Sequence, residues 1–322
     1  MVISEQEMEN NHPIYIRVFC VVYLFFTASA EESSVKRIGH PVAIETERFF
    51  INPQFSPDGN FISMTGSQYK GIFLYNLKSK ETNIATLEPS AGFGMSWSKN
   101  SEWILYKSAD YKNKRRFDSI VIFDIINNNR KIIYENQTSF PGVPKWKDND
   151  YYITINGGGK FELFQSSLGK KSTNLSSKII YSIGNVIIEY DLKRENEKIL
   201  FQGKGDILNL LQSPDEKKLV FEVVGGNMWI LDIKSLKNTN LGNGHEPAWN
   251  PKSDKIVYMQ TKDDGHIIIS SDIFVINADG TRKINLTDTS DKLEMRPDWH
   301  PNGKWIIYDL DGLGPIHIQM VE

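Results

Sequence analysis

Cysteine is almost absent from this sequence: the only one, Cys20, lies in an apolar segment near the N-terminus. Neither disulfide bonds nor thiol chemistry is therefore expected in the rest of the chain. An excess of charge of one sign is also lacking, since residues 31–322 carry 36 basic and 37 acidic side chains. This balance gives no reason to expect nucleic acid or an anionic membrane as a partner.

Two signatures of catalysis are missing as well. The sequence contains no Gly-x-Ser-x-Gly turn, so it does not predict a serine hydrolase of the type that carries its nucleophile there. It has only six histidines, whereas a metal site needs several histidine or carboxylate ligands at one place. We therefore predict that the chain is not an enzyme, with no catalytic residue, no metal ligand and no cofactor.

The N-terminus predicts export. Residues 14–26 form an apolar run interrupted by one basic residue, and small residues follow at 27–30. This pattern is typical of a cleaved secretory signal peptide over residues 1–30, which places the mature protein in the periplasm or outside the cell. The apolar run is short for a membrane span, so no span is expected after cleavage. An uncleaved N-terminal anchor is the alternative.

The strongest positive signal is a repeated unit. Residues 53–85 read as a four-stranded antiparallel meander that opens with the turn Ser56-Pro57-Asp58-Gly59, in which proline presets φ and glycine accepts a positive φ. Five further copies follow. One residue marks the opening turn of each copy, and we call these six residues the anchors: Phe55, Trp97, Trp146, Gln212, Trp249 and Trp299. The tryptophans among them are expected to pack between copies.

Meanders packed radially bury both faces of every sheet, so the repeat predicts an all-β, six-bladed β-propeller over residues 31–322. The sixth copy lacks its fourth strand, and residues 40–46 have the length and alternation to supply it and close the ring. The anchors are 42, 49, 66, 37 and 50 residues apart. The long third interval predicts an insertion over residues 160–183, with 161–164 and 178–181 pairing as an extra hairpin. Seven blades are the alternative.

The same residues carry a resemblance to a known family. The aromatic-Ser-Pro-Asp-Gly turn of Phe55 to Gly59, the Ser-Pro-Asp at 213–215 and the segment 272–286 resemble the Pro-Asp-type (WD40-like) propeller repeats of the TolB family. The resemblance covers residues 41–322. It implies a periplasmic adaptor of the Tol/Pal envelope system. The separate α/β domain of that family has no counterpart between residue 31 and the first candidate strand.

Polar residues just before the anchors provide the candidate site. His245 and Glu246 precede Trp249, Arg296 precedes Trp299, and Asn209 precedes Gln212. Because the innermost strands of a propeller line its central channel, we expect His245, Glu246, Arg296 and Asn209 to converge at one channel mouth. Arginine and glutamate from neighbouring blades would then bind a polar group or neutralise each other. A channel-bound cation is a further alternative.

These observations predict a non-catalytic binding or scaffold protein, with the channel mouth holding a peptide segment of its partner. The family resemblance implies an envelope protein as that partner, such as a peptidoglycan-associated lipoprotein, and we expect a monomer. The alternative is a lyase-like propeller that binds or degrades glycans.

Overall fold

A computed structural model describes residues 35–44, 46, 48–137, 142–147, 151–155, 161–165 and 178–322. The predicted signal peptide at 1–30 lies outside these residues. No helix in the described part of the chain is long and apolar enough to cross a membrane. The structure is built from antiparallel β-strands, numbered β1 to β26 in chain order, and confirms the all-β prediction.

The first two repeats are four-stranded meanders in which consecutive strands pair. The first contains β2 (Ile51–Phe55), β3 (Phe61–Thr65), β4 (Ile72–Asn76) and β5 (Thr82–Thr86). The second contains β6 (Ser96–Trp97), β7 (Trp103–Lys112), β8 (Arg115–Asp124) and β9 (Asn129–Gln137). β3 and β4 are almost entirely buried, because both faces of the sheet are covered. β7 and β8 are buried over the half next to Trp103 and Asp124, and their other ends, at Lys112 and Arg115, are exposed.

The fourth and fifth repeats have the same organisation. The fourth contains β16 (Ile207–Gln212), β17 (Lys218–Val223), β18 (Met228–Asp232) and β19 (Asn238–Gly242). The fifth contains β20 (His245–Trp249), β21 (Lys255–Asp263), β22 (Ile268–Asn277) and β23 (Ile284–Asn285). In both repeats the anchor is the last residue of the first strand, and the fourth strand lies at the opposite, outer edge of the sheet.

The two ends of the described chain meet in the sixth repeat. It contains β24 (Met295–Trp299), β25 (Trp305–Asp309) and β26 (Ile316–Val321). The N-terminal strand β1 (Arg37–Ile44) pairs antiparallel with β26, so the sheet order is β1-β26-β25-β24. On its inner side β24 lies against β20 of the fifth repeat and β2 of the first. The arrangement is therefore circular, and an N-terminal strand completes the last sheet.

The long third repeat is divided into two three-stranded sheets. One contains β10 (Lys145–Trp146), β11 (Tyr151–Ile155) and β12 (Phe161–Gln165), and the other contains β13 (Lys178–Ile183), β14 (Val186–Asp191) and β15 (Asn196–Gln202). Only the first carries an anchor. Counted by anchor-bearing strands, the chain has the predicted six-blade arrangement, with the third repeat expanded into two sheets.

The predicted extra hairpin inside the third repeat is wrong. β12 pairs with β11, and β13 pairs with β14. The reason lies in the short connection after β13, where Gly184 takes a φ of 52° and Ile183 pairs with Val186 across a two-residue turn. Such turns pair consecutive strands. The seven-blade alternative assumed that this interval divides into two units, and the third repeat does contain two separate sheets.

The tryptophan anchors pack between neighbouring sheets, as predicted, whereas the anchor Gln212 is exposed. Trp299 is 6% exposed and lies in one apolar cluster with Val257 of β21 and Ile306 of β25. Trp97 Nε1 donates a hydrogen bond of 2.9 Å to Ser63 Oγ of the preceding sheet. Each aliphatic side chain buried in such clusters stabilises the fold by about 1.5–3 kcal/mol.

The opening turns connect neighbouring sheets too. Ser56 Oγ accepts a hydrogen bond from the Phe61 backbone N–H at 2.9 Å and donates one to Asp58 Oδ1 at 2.6 Å, which closes the turn locally. The Asp58 backbone N–H then donates to Ser101 Oγ of the next sheet at 2.9 Å. The fourth repeat has the equivalent contact, from the Asp215 N–H to Ser253 Oγ at 3.0 Å. The repeated turn therefore fixes the spacing of adjacent sheets.

Candidate functional site

A bulge recurs in the innermost strands. In the first, fourth, fifth and sixth repeats the pairing register shifts just before the anchor. The residue three positions before the anchor has a positive φ there: 54° at Asn52 and 49° at Asn209, Glu246 and Arg296. Gly94 holds this position in the second repeat, with a φ of 67°. β-Bulges re-aim side chains next to functional sites, and these bulges bring side chains to one cavity.

The cavity has a volume of about 620 Å³. Two layers of equivalent residues form its wall. The first layer lies three residues before each anchor and comprises Asn52, Gly94, Val143, Asn209, Glu246 and Arg296. The second layer lies one residue before each anchor and comprises Gln54, Ser96, Lys145, Leu211, Ala248 and Asp298. Among the described lining residues none comes from β13, β14 or β15. The six anchor-bearing strands supply both layers, except that Gly94 and Val143 lie just before β6 and β10.

Three of the four predicted site residues, Asn209, Glu246 and Arg296, line this cavity in the first layer. His245 does not line it. The imidazole of His245 instead lies beside the buried carboxylate of Glu222, with 3.0 Å between Nδ1 and Oε2. The structure thus brings three of the predicted residues together and places the fourth in a supporting position behind them.

Glu222 organises this side of the cavity. Its Oε1 accepts hydrogen bonds from Asn209 Nδ2 at 2.7 Å and from the backbone N–H of Glu246 at 2.8 Å. The hydrogen bond to Glu222 raises the pKa of His245 above its ordinary value. Burial, and then the negative charge of Glu222, raise the pKa of Glu246. Glu222 therefore fixes the bulge of the fifth repeat and holds two first-layer residues in place.

Arg296 is held from the other side. Its guanidinium forms two hydrogen bonds to the fully buried Asp309, from Nε at 2.8 Å and from the second nitrogen at 2.6 Å. The same nitrogen bonds Asp311 at 2.8 Å. Burial acts to lower the pKa of Arg296, but these carboxylates raise it above its ordinary value. In the described structure its salt bridges go to Asp309 and Asp311. Arg296 forms no salt bridge with Glu246, but its charge lowers the pKa of Glu246 and so partly offsets the effect of burial there.

Asp309 also fixes the first repeat. Its Oδ2 accepts a hydrogen bond of 2.9 Å from the backbone N–H of the bulge residue Asn52. Asp309 and Glu222 both lie ten residues after an anchor, and each holds the bulge of the following repeat. In these two repeats a carboxylate at this position therefore fixes the first-layer residue of the next repeat.

The two charged residues of the second layer, Lys145 and Asp298, were not predicted as site residues. Burial raises the pKa of Asp298 to about 6, although its carboxylate accepts a 2.7 Å hydrogen bond from the Phe55 N–H. The side chain of Lys145 is exposed to the cavity. A signal for Asp298 was present, because side chains two residues apart on a strand share a face and Asp298 follows Arg296 at that spacing.

Aromatic side chains extend the wall of the cavity. Tyr69 and Phe93 line it and contact each other edge to face, with ring centroids 5.2 Å apart. Phe93 is 50% exposed. The charges of Arg296 and Glu246 both affect the pKa of Tyr69, which burial raises, so Tyr69 lies close to the first layer. The site thus combines exposed aromatic surface with polar groups of both signs.

Metal ligands were an alternative for this channel. In the part of the chain that the structure describes, no three His, Cys, Asp or Glu side chains are grouped so that they could hold a metal ion. His245 has Glu222 as its partner. The absence of a cofactor remains a prediction.

No family model and no curated protein matches the sequence. The structure is similar to the crystal structure of TolB from Acinetobacter baumannii, with a TM-score of 0.52 and 16% identity. That match covers 80% of this chain and 58% of the TolB chain, so the chain spans a little over half the length of TolB. A second similar structure is an oligogalacturonate lyase in complex with manganese, with a TM-score of 0.47, 12% identity and coverages of 86% and 78%. The chain therefore has a TolB-like propeller fold.

Proposed function

We propose that this chain is a non-catalytic binding protein, exported to the periplasm or secreted, whose cavity receives a segment of a partner protein. The observation that carries the proposal is the two-layered cavity of about 620 Å³. This volume falls in the range of protein ligand sites. It is built from the equivalent positions of all six anchor-bearing strands, and such sites on a rigid scaffold are preorganised for binding.

The chemistry of the wall favours recognition over catalysis. Arg296 is bound by Asp309 and Asp311, and His245 by Glu222, so these groups hold the first layer in position. Asn52, Gln54 and the other neutral polar residues offer hydrogen-bonding groups without a strong charge. Beside them, exposed Phe93 and its neighbour Tyr69 provide the aromatic surface on which protein partners commonly anchor.

An envelope protein, such as the peptidoglycan-associated lipoprotein that the TolB resemblance implies, is the partner that we propose. The TolB-like fold supports this proposal at the level of architecture. The glycan-binding alternative makes a different prediction, namely a carbohydrate ligand and no protein contact at the cavity.

Site-specific photocrosslinking in the native cell tests the proposal. Phe93 is replaced by benzoylphenylalanine, and the control carries the same replacement at Ile199, which is 59% exposed on the outer strand β15. We expect position 93 to crosslink one protein segment, identified by mass spectrometry, that position 199 does not. No crosslinked protein at position 93, or the same products from both positions, would refute the proposal.

A further inference from the structure

The charged groups of the cavity wall are not all neutralised. Arg296 has two carboxylate partners. Lys145 lines the same cavity in the second layer, and within the described residues no salt bridge or side-chain hydrogen bond involves it. Its side chain is exposed at the cavity. Among the described residues of the wall, Lys145 is therefore the cation that remains available to a ligand.

The fold does not require a cation at this position. The equivalent second-layer residues are neutral in four repeats: Gln54, Ser96, Leu211 and Ala248. The fifth is Asp298, which has the opposite charge. Lys145 is exposed to the cavity, and a lysine that is not bound to a carboxylate attracts anionic groups that enter such a cleft. The position of Lys145 thus points to an anionic ligand.

The opposite sign predominates elsewhere in the wall. Glu246 and Asp298 lie in the fifth and sixth repeats, which are not adjacent to the third repeat of Lys145. Neither carboxylate forms a salt bridge with Lys145 in the described structure. A group with two negative charges, such as phosphate, would be repelled by this acidic side. A single carboxylate bound at Lys145 is compatible with it, because like charges are then kept apart.

We infer that the partner segment carries a carboxylate, and that Lys145 binds this carboxylate while Glu246 and Asp298 exclude it from the opposite side of the cavity. This inference rests on the proposed function, since it specifies the chemistry of the segment. The carboxylate belongs either to an acidic side chain or to the C-terminus of the partner. The position of the crosslinked peptide within the partner distinguishes these two sources.

Small probes test the chemistry on the full chain. Hexanoate and hexylamine have alkyl chains of equal length and opposite charge, and NMR of the lysine side chains follows their binding. We expect hexanoate to shift the Lys145 signals saturably and hexylamine not to shift them. Lys145→Met is expected to weaken hexanoate binding at least 10-fold, whereas Lys145→Arg and the exposed control Lys304→Met retain it. Hexanoate binding that survives Lys145→Met, or no hexanoate binding to the wild-type chain, would overturn the inference.

A second measurement separates this inference from the proposed function. The crosslink from position 93 is measured in the wild-type and Lys145→Met backgrounds, after thermal unfolding has shown that both chains are folded. We expect the crosslink to be lost in Lys145→Met. An equal crosslink in both backgrounds would refute the role of Lys145 and leave the binding site standing. No crosslink even in the wild-type background would refute the proposed function itself.

Discussion

The pH dependence of stability provides a sharp test of the cavity, because Asp298 is the acidic group of its second layer. Asp298→Asn removes the charge of this residue and keeps a side-chain oxygen that accepts the hydrogen bond from the Phe55 N–H. That hydrogen bond is 2.7 Å long and links the sixth repeat to the first. The variant therefore isolates the electrostatic cost of the buried carboxylate from its structural contact.

The magnitude follows from the pKa. Burial raises the pKa of Asp298 from 3.8 to about 6, which corresponds to about 3 kcal/mol. As the pH rises from 4 to 6, the unfolded chain loses this proton first, so the folded chain binds more protons. The free energy of unfolding contributed by Asp298 therefore falls over this interval. Water in the cavity screens the charge, which makes about 3 kcal/mol an upper limit.

Urea unfolding at about pH 4 and pH 7.5 measures the effect. Relative to the wild-type chain, Asp298→Asn is expected to gain stability between the two pH values, by up to about 3 kcal/mol. The control Asp291→Asn removes an exposed acid from the loop before β24, and we expect no comparable gain. A stability difference between Asp298→Asn and the wild-type chain that is the same at both pH values would refute the reasoning.

Two further predictions concern the junction between the sixth and first repeats. Gly59 has a φ of 73°, and a Cβ there would lie 2.5 Å from the His300 ring, whereas Gly225 has a φ of 69° and nothing within 4 Å. Gly225→Ala should lower the free energy of unfolding by about 1–2 kcal/mol, because alanine is strained at a positive φ. Gly59→Ala should lower it further, because the added methyl group also meets the His300 ring. Equal losses in urea unfolding would contradict this contact. Arg296→Met should cost about 3–5 kcal/mol, because it leaves the charge of Asp309 buried without its partner. Adding Asp309→Asn should recover much of that loss, and no recovery would show that this ion pair is not the cause.

The repeat was predictable from sequence because its information is local. The turn beginning at Ser56 contains the side chains that close it, and each anchor ends an innermost strand. The third repeat was harder to predict, since the sequence allows 161–164 to pair with 178–181, whereas the structure pairs β11 with β12 and β13 with β14. The Gly184-Asn185 turn indicates the pairing of β13 with β14, but it did not enter the prediction.

The candidate site was predictable only in part. Three first-layer residues stand out in the sequence because they are polar and lie at one repeat position. The roles of Glu222 and Asp309 could not be derived in that way, since each holds the bulge of the following repeat across a sheet boundary. His245 was grouped with the channel residues because it is adjacent to Glu246. Successive residues of a strand point to opposite sides, and a bulge alters that alternation.

Filling the cavity tests the central claim most directly. Ala248 lines the second layer and is half-buried, so Ala248→Trp places a large side chain in the cavity without removing any charged group or hydrogen bond of its wall. The measurement is the yield of the crosslink from benzoylphenylalanine at position 93 in the native cell, with and without Ala248→Trp. If the cavity receives the partner segment, the crosslink disappears in the filled variant while the chain remains folded. An unchanged crosslink would contradict binding in the cavity.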